Sequence, residues 1–142
     1  MNVFIVGSPM ETAMVLDKKR LNKQIIECQQ MLDALNGKTK AWANHPCTLQ
    51  YHGYERWLLC YMSCLLRYKC GEYQRAEISD AWCKLNKPHF HTEEFFDQMK
   101  RRLYTKDNTH YAQWASLGES EENWYWSPTE HKIIKYVNGK RL

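Results

Sequence analysis

Between Tyr54 and Tyr68 the chain is apolar on nearly every side: Trp57, Leu58, Cys60, Tyr61, Met62, Cys64, Leu65 and Leu66 leave little room for a solvated face. A helix at a protein surface buries one stripe, whereas one that is apolar all round must be surrounded. This run predicts a central, buried helix, and the rest of the molecule has to wrap it. With 142 residues there is enough chain for one core and too little for two ordinary domains. A single compact domain spanning residues 1–142 is expected.

The wrapping elements are legible from period and punctuation. Leu21, Ile25, Cys28, Leu32 and Leu35 recur at helical spacing, with Asp17 placed to cap the start and Gly37 to close the end. A short helical turn runs from Pro9 to Leu16. Pro46 suits the first turn of another helix, with Asn44 or His45 as its cap. Tyr73 to Leu85 reads as amphipathic with Ile78, Trp82 and Leu85 inward. Thr92 caps a further helix, with Glu93 and Glu94 in its first turn and Phe95 or Phe96, Met99 and Leu103 inward. Met1 to Val6 is extended, because β-branched and aromatic residues precede the Gly7-Ser8-Pro9 break. After Asp107 the chain turns aromatic and irregular, and His131–Val137 with the Asn138-Gly139 turn is either a short strand or a frayed end. The fold class is mostly α: about four to five helices with an irregular aromatic C-terminal tail.

Six cysteines invite a disulfide framework, but Cys28, Cys60 and Cys64 fall in buried-helix patterns, and no CxxC pair or recognised His spacing suggests zinc. They read as small apolar thiols in a reducing cytoplasm, with no metal. The apolar opening lacks a basic region before it and stops at Gly7, so it reads as neither a signal peptide nor a membrane span.

The net charge of +4 permits nucleic-acid binding without demanding it. Its distribution is more informative. Lys18, Lys19, Arg20 and Lys23 lie together, Lys38 and Lys40 follow, and Lys100, Arg101 and Arg102 cluster late in a predicted helix. Six Trp and nine Tyr are interleaved among them. Lys100 to Arg102 read either as a solvated helix end or as a sequence-independent phosphate footprint. Trp124 and Trp126 are divided between core and DNA contact, and His45 between a helix cap and a site residue.

One carboxylate stands out. Arg20, Lys23 or Gln24, Glu27 and Gln30 share a helical stripe beside the apolar one, so Glu27 sits among cations at the edge of a core-facing helix. Read by spacing, this is either a solvated face with ordinary ion pairs or the flank of a pocket.

The residues also carry a resemblance. Leu16-Asp17, Arg20-Leu21, Lys23-Gln24, Glu27, Leu35, Gly37-Lys38-Thr39-Lys40, Trp42, Asn44-His45-Pro46 and Gly53-Tyr54-Glu55 resemble the pyrimidine-dimer DNA glycosylases of the phage endonuclease V type. A second block, Leu103, Lys106-Asp107, His110-Tyr111 and Tyr125-Trp126-Ser127-Pro128, follows. The resemblance implies a compact helical fold, a monomer, no cofactor, and double-stranded DNA with a damaged or modified base as partner, in a bacterial or phage-infected cell. It further implies removal of that base followed by cleavage of the abasic strand. The terminal α-amine would be the nucleophile and Glu27 the catalytic carboxylate. Asn2 is too large for efficient removal of the initiator, which leaves the amine on Met1 with Asn2 behind it. Arg20, Lys23, Gln24, Lys38, Lys40, His45, Lys100, Arg101, Arg102, Trp124 and Trp126 are the expected DNA contacts. The chain departs from the pattern where Ile26 stands in place of arginine. It also reads Phe96-Asp97-Gln98-Met99 where relatives show His-x-Ser-His, a loss compatible with a catalytically silent DNA- or nucleotide-binding relative.

Overall fold

The computed structural model describes all 142 residues. Six α-helices come first: α1 (Pro9–Val15), α2 (Lys18–Leu35), α3 (Pro46–Leu49), α4 (Glu55–Lys69), α5 (Tyr73–Leu85) and α6 (Glu93–Lys106). A 3-10 turn at Ala112–Leu117 leads into an antiparallel sheet of β1 (Asn123–Ser127), β2 (Lys132–Val137) and β3 (Lys140–Arg141), in the order β1-β2-β3. No helix is long and apolar enough to cross a membrane.

As the sequence predicts, α4 is the centre. Trp57, Leu58, Tyr61, Cys64 and Leu65 are buried, and α1, α2 and α5 pack around it. Its enclosure is incomplete, since Leu59 and Leu66 face outward. The expected caps form: Asp17 Oδ2 accepts from the Arg20 N–H, His45 Nδ1 from the Cys47 N–H, and Thr92 Oγ1 from the Phe95 N–H. Past α2, the Lys38 N–H returns to the Asp33 carbonyl around Gly37, whose φ of 75° only glycine adopts freely.

Helix α5 corrects the sequence reading. Ile78 and Leu85, expected inward, are 72% and 86% exposed, and the buried face is Ala76, Asp80 and Cys83. Small side chains let α5 approach α4 closely, and polar bonds fix that rotation. The Trp57 indole N–H donates to the Cys83 carbonyl at 3.2 Å, and Asp80 Oδ1 accepts the Met10 N–H at 2.8 Å. A buried carboxylate satisfied by a backbone donor outweighs the gain from turning two aliphatic residues inward.

The tail is a second correction. Residues 123–141 form a sheet with continuous pairing from Asn123↔Tyr136 to Ser127↔Lys132. Asn138 and Gly139, both at positive φ, make the two-residue turn that matches strand twist. Trp124 is buried against the fold with the Lys135 ammonium 4.5 Å over its ring, and β1 packs on α3 and α6.

The first six residues form no helix and have no sheet partner. Val3 and Ile5 are fully buried, and the backbone is held by side chains of α2 and α4. Gln24 Oε1 accepts the Phe4 N–H, Gln24 Nε2 donates to the Asn2 carbonyl at 2.9 Å, and the Tyr61 hydroxyl reaches the Phe4 carbonyl. One buried amide thus serves the N-terminal segment as a neighbouring strand would. This anchoring fixes where the chain begins relative to α2.

Candidate active site

The anchored terminus ends in a cavity of about 150 Å³. Six sequence candidates, Met1, Asn2, Arg20, Lys23, Gln24 and Glu27, line it together with Phe4, Lys19 and Lys106. The helical stripe read from α2 is therefore the flank of a pocket, with the terminal residue as its opposite wall.

Each polar wall is positioned by a neighbour. Arg20 Nη1 meets Asp17 Oδ1 at 3.2 Å. The same carboxylate accepts the Tyr111 hydroxyl, and that hydroxyl oxygen accepts the Asp17 N–H. Burial pulls the Asp17 carboxyl upward, but the hydrogen bonds from Tyr111 and Arg20 with the Arg20 charge hold it below the usual range. Met1 is tethered by its carbonyl, which accepts the Tyr125 hydroxyl at 2.7 Å. Asn2 Nδ2 donates to Asn123 Oδ1, and that oxygen also takes the Arg102 Nε–H. This leaves Asn2 Oδ1 as a buried acceptor without a protein partner on a residue of the cavity wall.

Glu27 is half-buried, and burial raises its pKa against the opposing pull of Lys23, the terminal ammonium and Lys106. One carboxylate among Lys19, Arg20, Lys23 and Lys106 gives a cavity of net positive charge, suited to a phosphate-bearing ligand. Burial also lowers Lys106, together with repulsion from Arg102, Arg20 and Lys23. A cavity lined by the terminal residue, three lysines and a half-buried carboxylate can attack an electrophilic carbon, stabilise the cation that forms and move a proton.

His45 stands nearby. Its Nδ1 accepts the Cys47 N–H at 3.0 Å, so the neutral ring carries its proton on Nε2. Burial and the terminal ammonium both lower its pKa. It is the α3 cap and a neighbour of the terminal amine at once.

Other expected contacts lie elsewhere. Lys38 and Lys40 are exposed on the α2–α3 loop, outside the cavity. Gln24 lines the cavity but is 1% exposed and spends its amide on the backbone of the N-terminal segment. Arg102 is buried as well, donating to Asn123 and to the Ser120 carbonyl and pairing with Glu121. Lys100 lies 3.7 Å from Asp97, and the Arg101 Nε–H donates to the Leu117 carbonyl. Arg101 and Arg102 tie α6 to the segment that follows it. Trp124 belongs to the core, and half-buried Trp126 packs on His89 and Phe90. None of Phe96, Asp97, Gln98 and Met99 lines the cavity; Phe96 and Met99 are core, and Gln98 binds Ser120 and the Glu122 carbonyl.

Sequence reasoning missed the roles of Lys106, Tyr125 and Tyr61. Lys106 and Tyr125 stood in the second block of resemblance, which was the available signal; nothing in the pattern marked Tyr61 beyond its place in α4.

The family model described as pyrimidine dimer DNA glycosylase matches residues 1–75. Searches of curated proteins and of solved structures give no match. The matched stretch contains the tethered terminus, α2 with Glu27, His45 and the whole of α4, which is every cavity residue except Lys106. With more than half of its length matched, the chain belongs to the pyrimidine dimer DNA glycosylase family.

Proposed function

We propose that this protein excises a damaged or modified base from double-stranded DNA and then cuts the abasic strand, with the α-amine of Met1 as nucleophile and Glu27 as the catalytic carboxylate. The observation that carries this reading is that Met1 and Glu27 line one small cationic cavity. An amine at a chain terminus is the ordinary alternative to a lysine as an imine-forming nucleophile.

The neutral amine attacks C1′ and forms a C–N bond as the glycosidic bond breaks, and the base leaves with that electron pair and takes up a proton. Opening of the sugar ring gives an iminium at C1′. Glu27, ionised and partly dry, faces the developing positive charge. Loss of the C2′ proton to a base then expels the 3′ phosphate by β-elimination, and water hydrolyses the imine to release the amine. Lys19, Arg20 and Lys23 neutralise the phosphates that flank the sugar.

The test is borohydride trapping on duplexes carrying an abasic site or a thymine dimer, followed by mapping of the adduct. An adduct on Met1, lost on acetylation of the terminus and in Glu27→Gln, is expected. An adduct on Lys19, Lys23 or Lys106 would transfer the nucleophile's role to a lysine of the cavity wall. No adduct on either substrate, with salt-dependent DNA binding intact, would make the protein a catalytically silent DNA-binding member of its family.

A further inference from the structure

Trp42 has a backbone φ of 65°, in the left-handed region that a bulky side chain avoids. Only two other non-glycine residues share it, and one of them, Asn138, is of the type that tolerates it in a hairpin turn. Burial does not compensate at Trp42, because the residue is 43% exposed. The loop nevertheless holds the conformation. The His45 N–H donates to the Trp42 carbonyl at 3.1 Å, the Ala43 N–H to the Lys40 carbonyl at 3.2 Å, and the Ala41 N–H to Thr39 Oγ1 at 3.1 Å. A strained conformation that displays a large ring to solvent, braced on both sides, has a use outside the free protein's own stability.

Its place suggests the use. The indole meets His45 edge-on at 5.5 Å, His45 meets Tyr125 at 5.7 Å, and the Tyr125 hydroxyl holds the Met1 carbonyl. Trp42 therefore stands at the outer end of an aromatic chain whose inner end fixes the terminal residue. Lys38 and Lys40, on the same loop, are exposed and form no ion pair.

Resting on the glycosylase reading, we propose that Trp42 is a stacking residue for an unpaired nucleobase: its exposed ring takes the face of a base unstacked at the damaged site, and Lys38 and Lys40 take the adjoining phosphates. An exposed aromatic on the same loop as free cations is a combination that binds unstacked bases without sequence preference, and chemistry at C1′ requires local opening of the duplex.

The experiment measures affinity for a duplex with a stable tetrahydrofuran abasic analogue beside 2-aminopurine, together with the fluorescence rise that reports unstacking. Trp42→Gly relieves the φ strain, so its thermal stability is expected to equal or exceed that of the parent, while its affinity falls about tenfold to a hundredfold and the fluorescence rise is lost. Trp42→Phe keeps a ring and is expected to recover most of both. Parental affinity and fluorescence in Trp42→Gly, or a Trp42→Phe no better than Trp42→Gly, would overturn the stacking role. Borohydride trapping of the unaltered protein on a true abasic site is run in parallel, and its failure would count against the lyase chemistry and not against stacking.

Discussion

The Tyr125 hydroxyl donates to the Met1 carbonyl across 124 positions of sequence, so a strand at one end of the chain fixes the residue that begins it. A terminal residue ordinarily frays. Here the carbonyl is held by a side chain, and under the proposed mechanism that restricts the amine to one approach. Tyr125→Phe keeps the ring and its packing on His45 and Tyr136 but removes the donor. A stability loss of about 1 kcal/mol is expected from the missing bond. Trapping on an abasic duplex should slow by about tenfold or more, since misplacement by an ångström is costly to a positioned nucleophile. Equal single-turnover rates in the two proteins would show that the tether does not orient the amine.

Gln24 poses the sharper stability test. Its buried amide serves the Phe4 N–H, the Asn2 carbonyl and the Tyr61 hydroxyl together. Gln24→Ala strands these groups away from water and is expected to cost about 2 to 4 kcal/mol, measured by denaturant unfolding. Gln24→Glu retains an acceptor but removes the donor to Asn2, and it adds a buried charge. It should therefore be no more stable than Gln24→Ala near neutral pH.

Much of this was legible in the sequence because it rests on local rules. The Asp17 and Thr92 caps, the Gly37 terminus and the apolar stripe of α2 follow from period and capping chemistry, and the pocket stripe of Glu27 comes with them. What was not legible rests on tertiary choices. The Ile78 face of α5 loses to a face of small residues whose Asp80 has a backbone donor waiting on α1. Arg102 reads as a basic helix end until β1 brings Asn123 beside it. The tail reads as irregular because its strands are short and aromatic on both faces, although the Asn138-Gly139 turn was visible.

Arg102 and Lys106 separate structural from electrostatic cations. Arg102→Ala breaks bonds to Asn123 and Ser120, frees Asn2 from its relay and is expected to lower stability by about 2 to 3 kcal/mol. Lys106→Ala removes an unpaired cation from the cavity wall and should leave stability within about 0.5 kcal/mol. On DNA the ranking reverses. Lys106→Ala and Lys23→Ala should each lower the slope of log affinity against log salt by about one, whereas Arg102→Ala should leave that slope as it is. A reduced slope in Arg102→Ala at unchanged fold would restore that residue to the DNA footprint.

Glu27 links stability to pH with a definite sign. Burial raises its pKa in the folded protein above the value in the unfolded chain, against Lys23, the terminal ammonium and Lys106. A raised carboxyl means that the folded state binds the proton more tightly, so stability falls as pH climbs through the unfolded and then the folded pKa, and stays reduced above both. Glu27→Gln does not titrate and keeps the side chain's size. It is expected to melt higher than the parent at pH 7, and the difference should shrink as pH drops toward about 4, where the parent's carboxyl also takes up its proton. Under the proposed mechanism the same ionisation governs the reaction, because only the carboxylate would stabilise the cation at C1′. The acid limb of the parent's single-turnover profile is therefore expected above the ordinary glutamate range. Thermal unfolding of both proteins across this range, beside the rate profile of the parent, checks the two halves together. A Glu27→Gln protein that melted lower than its parent at pH 7 would mean that the surrounding cations outweigh the burial of the carboxylate.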